Sequence, residues 1–254
     1  MKYELETIPV WDAVRQNDEC PFCILNKKAE EDYVKFYLGD SVMVPEIRLE
    51  VNKHGFCYDH YNIMLDGGNR HGLGLMLHTH YSEYNDKLSK NEKKLEQVLK
   101  TYNKKNLVPE IGKNKVLLGQ INSFLESIQT SKDECLICDK MEGRLKRYYY
   151  TFIILWQKND QGFRQTIQSQ KGFCDRHFID LISLASNILK TKDMILFLRD
   201  IMTIQKTNRD RIESEILWYT QKFDPQYIDK PWGTAKDAVY RTIQRLVGLF
   251  RREE

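Results

Sequence analysis

No stretch of this 254-residue chain is apolar for long enough to cross a bilayer, and its longest apolar runs, near Tyr148–Trp156 and Met194–Leu198, are short. The opening residues, Met1-Lys2-Tyr3-Glu4-Leu5-Glu6-Thr7, lack the apolar core of a secretory signal, so a cytoplasmic location is expected. There is no Ser/His/Asp set, no glycine-rich phosphate loop and no paired-carboxylate motif, and no catalytic residue is assigned. Charge is almost balanced, with 39 basic against 36 acidic side chains and a net charge of +3. Binding to nucleic acid would therefore need a local basic patch. Cysteine is scarce too, at six residues, and none is left outside a single repeated pattern.

That pattern is Cys20-Pro21-Phe22-Cys23 followed by Gly55-Phe56-Cys57-Tyr58-Asp59-His60, then Cys135-Leu136-Ile137-Cys138 followed by Gly172-Phe173-Cys174-Asp175-Arg176-His177. The step from Cys20 to Cys135 is 115 residues and that from Cys57 to Cys174 is 117, so the copies match within two residues. Asp-Glu precedes the first cysteine of both. Such a repeat points to duplication of one supersecondary unit.

In a reducing compartment, paired cysteines serve as metal ligands or redox groups more often than as disulfides. Two thiolates three positions apart can chelate one ion from a tight turn. A Cys and a His three apart share one face of a helical turn and supply the other two ligands. Each copy thus offers a complete tetrahedral set: Cys20, Cys23, Cys57 and His60 in the first, Cys135, Cys138, Cys174 and His177 in the second. Zinc is the ion such sulfur–nitrogen sets select, and two ions are expected. The same ligands suit an iron–sulfur cluster, and Cys20-Pro21-Phe22-Cys23 ahead of a helix also resembles a thiol–disulfide redox motif.

The rest of the chain reads as helix. Leu77, Tyr81, Tyr84, Leu88, Asn91, Leu95, Val98 and Tyr102 form one heptad-like seam, and a second runs from Ile195 and Leu198 through Met202, Gln205, Arg209, Ile212, Ile216 and Tyr219 to Phe223. The aromatic run Tyr148, Tyr149, Tyr150, Phe152 and Trp156 reads as core. Ile47, Leu49 and Val51 alternate as a short extended piece, and 100–115 reads as a connector. A last helix, opened by the capping pattern of Thr234 with Asp237 three residues on, is expected to bury Val239, Ile243, Leu246 and Phe250. It would show Arg241, Arg245, Arg251 and Arg252 to solvent as candidate phosphate contacts. The fold class is mainly α, a helical bundle with two duplicated metal-binding units and little strand. Residues 1–72 form the first unit, 73–130 a long helix and connector, 131–190 the second unit and 191–254 the C-terminal helices.

The chain resembles an uncharacterised bacterial family, a domain of unknown function, through Ile8-Pro9-Val10-Trp11, Glu19-Cys20-Pro21-Phe22-Cys23, Glu50-Val51-Asn52-Lys53 and Gly55-Phe56-Cys57, with Gly172-Phe173-Cys174 and His177 repeating the pattern. The resemblance implies no activity. The expected role is a zinc-binding, non-catalytic protein with a protein or nucleic-acid partner, and the alternative is an iron–sulfur or dithiol redox protein.

Overall fold

A computed structural model describes residues 4–104, 110–129 and 134–248. All regular structure among them is helical: α1 (Glu4–Arg15), α2 (Pro21–Leu38), α3 (Pro45–His54), α4 (Tyr58–Asp66), α5 (Arg70–Lys104), α6 (Glu110–Gln129), α7 (Leu136–Lys158), α8 (Phe163–Gln168), α9 (Asp175–Ile188), α10 (Thr191–Gln221) and α11 (Ala238–Val247). No helix among the described residues is long and apolar enough to cross a membrane.

The chain forms two compact units. One joins Met1–Ala29 to Glu142–Glu254, and the other is Glu30–Met141. Their boundaries fall inside α2 and α7, so neither unit is a contiguous copy of the repeat. The core of the first unit is aromatic: Phe22, Tyr149, Phe152, Trp156, Phe163, Phe173 and Phe197 are all buried. Phe22 packs its ring against Tyr149, with centroids 4.5 Å apart, and against Phe173 at 5.7 Å. The aromatic run of α7 is core, as its spacing indicates. The second unit buries Val34, Tyr37, Leu38, Val51, Phe56, Met64, Leu73, Met76, Leu136 and Ile137.

The α5 seam is real from Tyr84 to Val98, where it forms the half-buried face of an otherwise exposed helix packed against α6. Tyr81, at 66 % exposure, lies beyond it. The α10 seam is displaced. Its buried face is Phe197, Ile201, Ile204, Asn208, Ile212 and Glu215, whereas Ile195 and Met202 face solvent. The polar members Asn208 and Glu215 explain the misreading, because both are buried through specific bonds that a hydrophobic pattern does not register.

Three further expectations are corrected. Ile47, Leu49 and Val51 lie in helix α3, which Pro45 starts at its first position, where a missing N–H costs nothing. Helix α6 begins at Glu110, inside the expected connector, while 105–109 lie outside the described residues. The segment at Thr234 is a 3-10 turn, and neither Thr234 nor Asp237 caps α11: Thr234 Oγ1 donates to Glu215 and Asp237 accepts from Arg241.

Candidate metal centres

All four ligand pairs are built in one way. Cys20, Cys57, Cys135 and Cys174 each stand immediately before a helix, α2, α4, α7 and α9 respectively, at its N-cap position. The second member of each pair, Cys23, His60, Cys138 or His177, sits three residues on, at the third helical position. Residues at these two positions look the same way off the helix end. They also lie where unpaired backbone N–H groups and the positive end of the helix dipole favour thiolate.

The pairs combine across the repeat, which corrects the within-copy assignment. Cys20, Cys23, Cys174 and His177 come together in the first unit, and Cys57, His60, Cys135 and Cys138 in the second, with the ligand atoms of each set within 4.8 Å of one another. The reason is the length of α2 and α7. Tyr37, whose ring lies 4.9 Å from Phe56, is about 21 Å along the α2 axis from Cys23 at 1.5 Å per residue. Phe56 holds Cys57 at the far end of the helix that starts with the first Cys pair. In the same way Phe173, 5.7 Å from Phe152, holds Cys174 beside the second half of α7. A straight helix cannot bring the two halves of one copy together.

Each histidine presents Nδ1 to three sulfurs. His177 Nδ1 lies 3.4, 3.5 and 3.2 Å from the Sγ atoms of Cys20, Cys23 and Cys174. His60 Nδ1 lies 3.1, 3.3 and 3.4 Å from those of Cys57, Cys135 and Cys138. The sulfurs of Cys23 and Cys174 are 3.7 Å apart, and those of Cys57 and Cys138 are 3.9 Å apart. A tetrahedral ion with metal–sulfur bonds of about 2.3 Å and metal–nitrogen bonds of about 2.0 Å sets its ligands about 3.5–3.8 Å apart. The donor sets fit one ion each, and both groups could hold a metal.

Left to themselves, the thiols of each set oppose one another's ionisation. Burial raises Cys20 well above the usual thiol range, and contacts with Cys174 and Cys23 add to the rise. Cys174, hydrogen-bonded to Cys20 and Cys23 and beside His177, is the thiol held low. In the second unit burial works to raise Cys135, yet hydrogen bonding to His60 prevails and brings it to about 6. Cys138 is pushed up by burial and by the charge of Cys135. A cation at the middle of either set would relieve this competition.

The surroundings differ. In the first unit all four ligands are buried. A Cβ on Gly248, the residue after α11, would lie 3.7 Å from Cys23 Sγ and 3.8 Å from Cys174 Sγ, so the end of α11 closes over the sulfurs. Arg245 is buried at 6 % exposure, one of its terminal nitrogens has no hydrogen-bond partner, and that nitrogen lies 2.8 Å from where a Gly172 Cβ would be. Gly172, at φ +98°, is required here both by its backbone and by this close approach. Gln205 braces the same turn, accepting from the Phe173 N–H at 3.2 Å and donating to its carbonyl at 3.0 Å. In the second unit Cys138 is exposed and Cys57 half-buried. The far ring nitrogen of His60 faces Glu30 at 3.3 Å, a carboxylate–imidazole pair of the kind that orients a metal-bound histidine.

Arg241 and Arg245 do not form a phosphate-binding face, and that expectation is corrected. They are 8 % and 6 % exposed, whereas Val239, Ile243 and Leu246 of the same helix are 40 %, 38 % and 60 % exposed. Helix α11 turns its basic side inward because buried carboxylates wait there. Arg241 pairs with Glu215 and Asp237, Arg211 reaches Glu19 at 2.5 Å and Glu215 at 2.8 Å, and Gln244 donates to Asp18 at 2.7 Å. Phe250, Arg251 and Arg252 lie outside the described residues. Glu19, Glu30 and Arg245 were missed as parts of the centres. Only the repeated Asp-Glu before each Cys pair hinted at Glu19.

The chain belongs to a family of unknown function, DUF6062, whose model matches residues 1–253. No curated protein and no solved structure matches it.

Proposed function

We propose that this is a non-catalytic zinc protein, in which each centre holds one Zn2+ through three thiolates and one imidazole Nδ1. The observation that carries the reading is the spacing of the donors. Sulfur–sulfur separations of 3.7 and 3.9 Å suit ligands of a single tetrahedral ion. An iron–sulfur cluster spreads its four protein ligands over two or more irons, whereas all four donors of each set here lie within 4.8 Å of one another. The dithiol alternative leaves the histidines without a purpose, although each points one nitrogen at three sulfurs. Four protein ligands close the coordination sphere, leaving no position for substrate or activated water. The zinc then acts through folding, tying α2 to α9 and α4 to α7 at their N-termini. With Arg241 and Arg245 turned inward, a protein partner suits the reading better than nucleic acid, and a reducing, cytoplasmic compartment keeps the thiols available.

Elemental analysis with an absorption spectrum, on protein purified without oxygen, tests the reading. Two zinc ions per chain and a colourless solution are expected. Iron with a broad visible band, or no metal, would overturn it.

A further inference from the structure

The two centres are alike in ligands and in sulfur–sulfur proximity but not in access. Cys23 and Cys174 lie 3.7 Å apart, and both are buried. Cys57 and Cys138 lie 3.9 Å apart, with Cys138 exposed and Cys57 half-buried. Beside Cys57, Tyr58 is 80 % exposed, whereas Gly248 and Arg245 close the other centre. Metal-bound thiolates keep their nucleophilicity, so what separates the two centres chemically is whether a small reagent can reach a sulfur.

We propose that Cys138 is a modification site for a small peroxide, with Cys57 as the thiol that resolves it. The inference rests on the zinc reading for the metal it releases and for a cation that keeps Cys138 as thiolate. The Cys138 thiolate attacks one peroxide oxygen, the O–O bond breaks, and the departing hydroxide takes a proton to become water. Cys138 is left as a sulfenic acid. The Cys57 thiolate then attacks that sulfur, the S–O bond breaks, and the second oxygen leaves with a second proton as water. In sum, two thiolates, one hydrogen peroxide and two protons give one disulfide and two waters, the sulfurs losing the two electrons that the peroxide gains. Having lost two of its four ligands, the metal of this centre departs. The enclosed centre stays intact and holds the first unit folded while the second is switched.

The test is titration of the full-length, metal-loaded chain with hydrogen peroxide, after its metal content has been counted. Released zinc is read with a chromogenic chelator, and the cysteines are mapped by alkylation and mass spectrometry. Release is expected to stop at one equivalent, with a Cys57–Cys138 cross-linked peptide and with Cys20, Cys23 and Cys174 still alkylatable. Cys138 should react at least about tenfold faster than Cys174, as thiolate access dictates. In a Cys57→Ser, Cys135→Ser variant, which lacks both neighbouring thiols, Cys138 should accumulate as a sulfenic acid trapped by a carbon nucleophile, and a Cys135–Cys138 cross-link in the wild type would overturn the role given to Cys57. Should that variant fail to fold, the wild-type map decides alone. Loss of both metals at one rate, modification of Cys20, Cys23 or Cys174 first, or an unmodified Cys138 would overturn the proposal. A chain purified without zinc would overturn the zinc reading instead, and the order of cysteine modification would still be read.

Discussion

The centre at Cys20, Cys23, Cys174 and His177 and the centre at Cys57, His60, Cys135 and Cys138 use the same residues at the same helix positions, yet one is enclosed and the other open. The difference lies outside the ligands. In the first unit Glu19, just before the Cys pair, is buried among Arg211 and Arg241, and α11 lies over the sulfurs. In the second unit the equivalent Glu134 is about half exposed and meets His54, at 2.6 Å. The two frameworks offer equal ligand pairs, and what packs around them makes one a buried anchor and leaves the other within reach of solvent.

The largest effect expected from breaking this comparison is that of Cys174→Ser. Zinc-binding free energy at a structural site, on the order of 10 kcal/mol, is folding free energy, so the melting temperature should fall by roughly 10 °C or more with loss of one metal equivalent. Cys57→Ser should also lose one equivalent. Hydrogen exchange should then show the damage mainly in Glu30–Met141, and an unchanged metal content in either variant would refute the pairing. Next comes Glu19→Gln. It leaves Arg211 and Arg241 short of a buried partner and should cost about 3–5 kcal/mol in a denaturant titration. Gly172→Ala should cost roughly 1–3 kcal/mol, since a Cβ at φ +98° is strained and lies 2.8 Å from the Arg245 guanidinium. Smallest is Glu134→Gln, the counterpart of Glu19→Gln. Its exposed pair with His54 should change stability by less than about 1 kcal/mol, and a larger loss would mean that the two Asp-Glu motifs are equivalent after all.

Much of each centre could be read from the residues. The choice of Cys and His, the three-residue step within each pair and the glycine that opens each Gly-Phe-Cys turn all reflect local chemistry, and the structure gathers those Cys and His residues into two groups. The partner of each pair could not be read. Matching copy with copy assumes that near neighbours in sequence meet, and α2 and α7 are too long to allow it. Helix α11 shows the other limit. Its apolar spacing is that of a core-facing helix, but buried Glu19 and Glu215, with half-buried Asp18, attract Arg241, Gln244 and the basic side instead.

By itself, then, the sequence determined a mainly helical chain with four Cys/His pairs able to ligate a metal, because helix periodicity and the N-cap step are properties of a few adjacent residues. The tertiary structure alone decided which pairs share an ion, which centre is shielded and which way α11 faces. Those outcomes depend on helix length, on buried ion pairs between residues such as Glu19 and Arg211, and on what covers a sulfur, none of which is a local quantity.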